Sequence, residues 1–272
     1  MASNFSEIVL LTHSSYYYDI VEWIEYYEKL GFDHITIYNN GELDFSDFIK
    51  KFKNISYQII EGWPNQLYLE LNHYNKSNYE WIYFCDDDEF LWLDDKYKNI
   101  NDFLIKKHAE LECDNIAIHW VKISGNPCPI DRKDTPDTTQ IKTFHYIQEI
   151  ENDSWIKCFY HKGQNIEQMQ CHYCYPFNIT KDVNNNLFTN FSDCRTLNYD
   201  YQKDDCLIYH YYHKSYMEFI KKMQSADAVY QNVKYINKFP ECDFKTPDNY
   251  FRLLYNIGYC KYDNKIESQK NA

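Results

Sequence analysis

Four acidic residues stand in a row at Asp86-Asp87-Asp88-Glu89, directly after the apolar run Trp81-Ile82-Tyr83-Phe84-Cys85. Adjacent carboxylates repel one another, so such a cluster costs stability unless a cation neutralises it, and hard oxygen ligands suit Mg²⁺ or Mn²⁺. In an extended chain Asp86 and Asp88 project to the same side. That pairs those two as metal ligands and leaves Glu89 to orient a ligand or a water from behind. A solvated acidic turn after a strand would carry the same residue types. A second set, Cys158-x2-His161 and Cys171-x2-Cys174, has the ligand types and pair spacing of a structural zinc site.

These side chains need a frame. Ile8 to Thr12 is a short run rich in branched residues, and Ile20, Trp23, Ile24, Tyr27 and Leu30 recur at helical spacing, with Gly31 as the C-terminal stop. His34 to Tyr38 predicts a second strand, Asn39-Asn40-Gly41 a turn, and Asp44 to Phe52 a helix. Ile55 to Ile60 predicts a third strand, Asn65 to Ser77 a helix, and Trp81 to Cys85 a fourth strand. The alternation predicts an α/β fold, a mostly parallel central sheet flanked by helices. Ligands bind such sheets at the C-terminal ends of the strands, where the acidic cluster falls. Farther on, Asn101 is expected to cap a helix to about Lys107, and Asn115 to Trp120 to form a buried strand. Gly125 to Gln140, with Pro127, Pro129 and Pro136, reads as a mobile loop. Tyr209 to Tyr212 reads as a late strand and Ser215 to about Ile236 as a long amphipathic helix.

Glu22-Trp23-Ile24-Glu25-Tyr26-Tyr27 with Gly31-Phe32, then Ile37-Tyr38-Asn39-Asn40, then WIYFCDDDEFL from Trp81 to Leu91, resemble in order and spacing glycosyltransferase family 92 and the related family-2-like enzymes. That group's patterns read roughly EWIxYHxxxG, YDN and WxxFxDxDEFL. His210-Tyr211-Tyr212-His213-Lys214-Ser215 with Glu218-Phe219 and Lys222 is similar to its C-terminal HYxxKSxEEFxxK, so the resemblance spans about Ile8 to Lys222. It implies the GT-A (Rossmann-like) fold, a nucleotide-sugar donor and inversion at the anomeric carbon. It also implies that Asp86 and Asp88 hold the metal, Mn²⁺ or Mg²⁺, with His210 completing the coordination. Lys157 and His172 look like the family's central lysine and histidine, facing the diphosphate and the sugar. Glu22, Asn39, Asp86 and Lys214 fall at positions implied to serve the nucleotide. Inversion needs a general base. Glu149, Glu151 and Asp153 lie where family-2-like enzymes often place it, and Glu151 is the expectation. Two departures stand out: Tyr27 replaces the family's histidine, and Asn39 replaces the aspartate of its YDN turn, which changes the donor pattern offered to a base. The middle region is Pro-rich where relatives carry a Trp and a glycine motif, echoed only by Trp120 and Gly125. On relatives alone the donor would be UDP-galactose and the acceptor a glycan or glycoprotein.

At 272 residues and 44% hydrophobic, the chain can bury one substantial core. We expect a transferase unit over residues 1–240 and a helical extension over 241–272 with a partly disordered tail. The balance of 28 basic to 41 acidic residues gives −13 and argues against a sequence-independent grip on nucleic acid. An anionic substrate must therefore be met by local basic residues, helix N-termini or a metal. No window approaches the roughly 20 apolar residues of a membrane span, and Met1 to His13 has no basic segment ahead of an apolar run. These features predict a soluble cytoplasmic protein with reduced cysteines. Two other readings compete. A haloacid-dehalogenase-like phosphohydrolase also ends a strand in Asp-x-Asp, but Phe90 stands where that family carries Thr or Val. A zinc-binding interaction module built on Cys158, His161, Cys171 and Cys174 would leave the acidic cluster without a task.

Overall fold

The computed structural model describes residues 4–62, 65–124, 132–144, 146–148, 154–196, 199–212, 214–215, 218 and 260–262. The strands are β1 (Ser6–Thr12), β2 (His34–Asn39), β3 (Ile55–Ile59), β4 (Trp81–Cys85), β5 (Glu89–Leu93), β6 (Asn115–Ser124), β7 (Tyr146–Gln148), β8 (Ser154–His161), β9 (Gln168–Met169), β10 (Cys174–Tyr175), β11 (Thr180–Asp182), β12 (Leu187–Phe188), β13 (Arg195–Thr196), β14 (Cys206–His210) and β15 (Cys260–Tyr262). The helices are α1 (Tyr17–Leu30), α2 (Ser46–Ile49), α3 (Gln66–Lys76), α4 (Ile100–Leu111) and α5 (Gln140–Thr143).

The central sheet runs β12-β11-β6-β8-β4-β1-β2-β3. Strands β1 to β4 are mutually parallel, as the strand-helix alternation predicted. The fold is α/β with a mostly parallel sheet. Burial alternates with the two-residue period of a strand. Ile8, Leu10, Trp81, Tyr83, Cys85 and Phe159 pack on one face with α1 and α4, and Val9, Ile82, Phe84, Ile156, Cys158 and Tyr160 pack on the other. Because both faces are covered, these strands read as continuous apolar runs.

Strand β8 enters between β4 and β6 and runs antiparallel to both. Its register pairs Trp81 with His161 and Tyr83 with Phe159. Two residues farther along the same register, Lys157 comes level with Cys85, the last residue before the acidic cluster. Beside the main sheet, β14 pairs antiparallel with β5 from Cys206↔Leu93 to His210↔Glu89, and parallel with β6. His210 is thereby brought across from Glu89, next to Asp88.

Several expectations need correction. The helix after the acidic cluster starts at Ile100, and Asn99 caps it by accepting from the Asp102 amide. Starting there buries Ile100 with Phe103 and Leu104. Asn101 instead ties Asp33 to Ser6 through its side chain. The helix expected over Asp44 to Phe52 is the single turn α2, and the late strand begins three residues earlier than read and stops at His210. Of the expected C-terminal helical extension, the described residues Cys260–Tyr262 form a strand against β7. The long helix expected from Ser215 lies outside the described residues apart from Ser215 and Glu218, and so does the first part of the loop expected over Gly125 to Gln140.

The remainder of that loop is fastened by charge. Arg132 donates to both carboxylate oxygens of Asp19 on α1 at 2.6 and 2.5 Å, to Glu218 at 2.6 and 3.2 Å, and to the Thr138 carbonyl at 2.7 Å. All three charged residues are buried. Removing one member of such a group strands the others without compensation, which outweighs the value of any single pair. Arg132→Ala is therefore expected to lower unfolding free energy by about 3–5 kcal/mol, read by chemical denaturation.

Candidate active site

The acidic residues form a tight turn between β4 and β5, closed by the Glu89 amide donating to the Asp86 carbonyl. This replaces the extended geometry assumed for Asp86 and Asp88. Every carbonyl of the turn is held. Trp23 Nε1 donates to that of Asp86 at 3.2 Å, Gln140 Nε2 to that of Asp87 at 2.9 Å, the Tyr211 amide to that of Asp88 at 2.7 Å, and the Tyr27 hydroxyl to that of Glu89 at 3.1 Å. Thr12, ending β1, donates its hydroxyl to Asp87 at 2.6 Å. Three elements, α1, α5 and the segment after β14, thus fix the backbone and β1 holds one side chain, so the turn need not spend ordering entropy to face a ligand.

Lys157 is the main counter-charge. Its ammonium lies 2.8 Å from Asp86 Oδ2 and 2.9 Å from Glu89 Oε2, and its side chain is only 5% exposed. Burying an ammonium costs several kcal/mol, which two close carboxylates at short hydrogen-bond distance offset. Burial alone would raise the Asp86 carboxyl, but Lys157 prevails and holds it below the usual range. Glu89, fully buried and facing the charges of Asp86 and Asp88, is pushed up to about 8 against the pull of Lys157. Lys157 thus holds Asp86 ionised, while burial favours the protonated form of Glu89. Gln66 adds a 3.3 Å hydrogen bond to Asp86 Oδ1.

Asp88 points the other way, toward β14. His210 Nε2 lies 3.3 Å from Asp88 Oδ1, and Lys214 Nζ lies 3.8 Å from Asp88 Oδ2 and 3.9 Å from Asp87 Oδ1. Asp88 and His210 both perturb Asp86 electrostatically, so the three residues implied as metal ligands are neighbours. Among the described residues, however, no three His, Cys, Asp or Glu side chains group closely enough to hold an ion by themselves. Asp86, 39% exposed, is held by Lys157, whereas Asp88 and His210, 9% and 6% exposed, are in direct contact with each other. Their donor set, one carboxylate and one imidazole, suits Mn²⁺ with further positions filled by phosphate oxygens and water. Two ligands at near-right angles around such an ion stand about 3 Å apart, which the 3.3 Å gap matches. The same 3.3 Å is also the spacing of a direct imidazole–carboxylate ion pair.

The other expected site residues divide. His172 stands beside Lys157, Asp86 and His210, and burial lowers its imidazole to about 4. Its Nδ1 lies 2.8 Å from the Ile156 carbonyl, which can only accept, so the proton sits there and Nε2 carries the lone pair. Glu22 binds inside the protein, accepting from the Thr139 hydroxyl at 2.5 Å and the Ile141 amide at 3.1 Å. It anchors the segment from which Gln140 reaches the Asp87 carbonyl. Asn39 is committed to its own turn, donating to the Leu43 carbonyl and the Tyr57 hydroxyl and accepting from the Gly41 amide, and it is 1% exposed. Both therefore shape the site rather than face a nucleotide as the resemblance implied. Glu149, Glu151 and Asp153 lie outside the described residues.

The zinc reading fails on strand geometry. Cys158 and His161 are three apart on β8 and so project to opposite faces. Cys158 is buried with Ile156 and Tyr160, while His161 packs on Trp81 and His108 across the sheet. What the sequence reading missed is β8 itself and the supporting side chains Gln66, Gln140 and Thr12. A lysine inside the apolar Ser154-to-His161 run was the available signal, since a buried lysine demands a carboxylate partner.

No family model matches the chain, and no curated protein matches it. Among solved structures, S. aureus TarS 1-349 is similar over 46% of this chain and 38% of its own length, at 14% identity and a TM-score of 0.35. HddC from Yersinia pseudotuberculosis is similar over 60% of this chain and 70% of its own, at 12% identity and a TM-score of 0.32. The chain thus spans well under half of the TarS structure, and likeness at these scores assigns it no activity. Among the described residues no helix is long and apolar enough to cross a membrane.

Burial raises Glu22 to about 7, against its hydrogen bonds from Thr139 and Ile141. The folded state then binds more protons than the unfolded one between the ordinary glutamate value and about 7, so stability falls as pH rises through that window. Glu22→Gln removes the titration; its amide oxygen can accept from the Ile141 amide while its NH2 donates to the Thr139 hydroxyl, reversing that one bond. Its Tm relative to the parent chain is expected to rise by roughly 2–4 °C between about pH 5 and about pH 8, followed by thermal unfolding at the two pH values.

Proposed function

We propose that the chain is an inverting, divalent-metal-dependent glycosyltransferase of the GT-A type, taking a hexose from a UDP-linked donor to a glycan or glycoprotein acceptor. The observation that carries this reading is the Asp88–His210 pair, with Lys214 beside it, at the C-terminal end of the parallel strands. Galactose as the donated hexose, and UDP as its carrier, rest on the resemblance of the Trp81-to-Leu91 and His210-to-Ser215 motifs to family 92.

Charge explains why an ion belongs there. Three carboxylates, Asp86, Asp87 and Asp88, face two ammonium groups, Lys157 and Lys214, which leaves the site short of one positive charge. Such a site attracts a divalent cation and becomes positive on binding it, as an anionic diphosphate requires in a chain of net charge −13. When bound, Mn²⁺ or Mg²⁺ would stabilise the charge that develops on the leaving diphosphate. Asp88 and His210 would hold it. Lys214 is placed to take up charge on the same phosphate oxygens, while Lys157 keeps Asp86 ionised and still. Neutral His172, with its Nε2 lone pair, can accept from a sugar hydroxyl and orient the ring. Glu151 remains the proposed general base, which would withdraw the acceptor proton on the face opposite the diphosphate.

With a panel of nucleotide sugars, Mn²⁺-dependent donor hydrolysis or transfer is expected. Asp88→Ala and His210→Ala should each reduce turnover on the order of 100-fold or more; both side chains are buried in a charged group, so Tm falls as well, and the isosteric Asp88→Asn separates lost activity from lost stability. Hydrolysis of a phosphomonoester in place of any nucleotide sugar, or turnover unchanged in Asp88→Ala, would overturn the assignment.

A further inference from the structure

An aromatic cluster adjoins the site, and its outer members, Trp155, Tyr173 and Phe191, have no part in the mechanism above. Trp155 lies two residues before Lys157 on β8, so the two side chains share a face about 7 Å apart along the strand. That separation is close to the length of one hexose ring. The Trp155 ring packs on His172 at 4.6 Å, His172 on Trp120 at 5.1 Å, and Trp120 on His210 at 4.5 Å, so an unbroken run of rings leads outward from the Asp88–His210 pair. At its outer end Phe191 stands 5.8 Å from Trp155 and 5.5 Å from Tyr173, and it is 53% exposed. Arg195, directly opposite Trp155 in the β8–β13 ladder, carries its guanidinium 5.8 Å from the indole.

We propose that Trp155, Tyr173, Phe191 and Arg195 form the platform on which the acceptor sugar lies, which rests on the transferase reading above. A hexose presents a ring face of C–H groups and a rim of hydroxyls. Aromatic faces, negative at their centres, attract the C–H groups, and a guanidinium supplies fixed donors to the rim. Scattered exposed aromatics are ordinary on a protein surface, but a cluster continuous with a reaction site and edged by a polar fork has the composition of a ligand-binding wall. The platform sets the acceptor class: a neutral glycan whose terminal hexose offers an unhindered C–H face.

The test uses the full chain and two readouts. Calorimetry with UDP and Mn²⁺ reports on the donor site, and saturation-transfer NMR with methyl glycosides of glucose, galactose, mannose, fucose and N-acetylglucosamine reports on the platform. In the parent chain at least one glycoside should receive saturation at its ring C–H protons. Phe191→Ala should weaken that contact about tenfold and Trp155→Ala further, with UDP affinity unchanged in Phe191→Ala. Glycoside contacts that persist in both variants, saturation of no glycoside, or saturation of a Ser/Thr-rich peptide in their place would overturn the platform. Loss of UDP binding in the parent chain, with the glycoside contacts intact and sensitive to Phe191→Ala, would remove the donor reading and leave the platform standing.

Discussion

The geometry of the site depends on a buried ammonium. Lys157 enters the sheet on a strand that runs against its neighbours and meets Asp86 and Glu89 at hydrogen-bond distance where β4 ends. Without it, four successive acidic residues in a turn largely shut off from water would repel one another and be driven to protonate. With it, Asp86 stays ionised while partly exposed, burial favours the protonated form of Glu89, and Asp88 lies buried against His210 and Lys214. The arrangement divides the cluster between two counter-charges, Lys157 for Asp86 and Glu89, Lys214 for Asp87 and Asp88.

A second feature follows from the hydrogen bonds around that turn. Trp23 and Tyr27 on α1, Gln140 on α5, Thr12 on β1 and the amide of Tyr211 after β14 all terminate on the acidic turn. Residues that resemble nucleotide contacts in sequence, Glu22 and Asn39, act one step behind it. Tyr27, where the family pattern carries histidine, supports the turn with a hydroxyl that donates to Glu89 and accepts from Leu91. Precision at the site is thus distributed over the fold, with few side chains left to face a ligand.

Much of this was legible from the residues. The strands β1 to β4 and the helix α1 followed from periodicity, and the placement of the acidic cluster at a strand's C-terminal end followed from the apolar run before it. Beyond Trp120 no strand was read until β14, and so β8 went unread; its Lys157 was singled out only through the family resemblance, without its carboxylate partners. Nor does spacing tell which of two asparagines caps a helix. That depended on Ile100 needing burial, and Asn101 being needed between Asp33 and Ser6. The division of Asp86 from Asp88 was invisible for a similar reason, since it depends on partners 71 and 122 residues away in sequence, Lys157 and His210.

The central claim, that Asp88 and His210 hold a divalent ion against a nucleoside diphosphate, is tested most directly by crystals grown with UDP and Mn²⁺ and measured at the manganese absorption edge. The account predicts one anomalous peak between the Asp88 carboxylate and His210 Nε2, shared with ordered phosphate oxygens. A nucleotide bound with no such peak, or manganese seated elsewhere while the Asp88–His210 pair remains in contact, would contradict it.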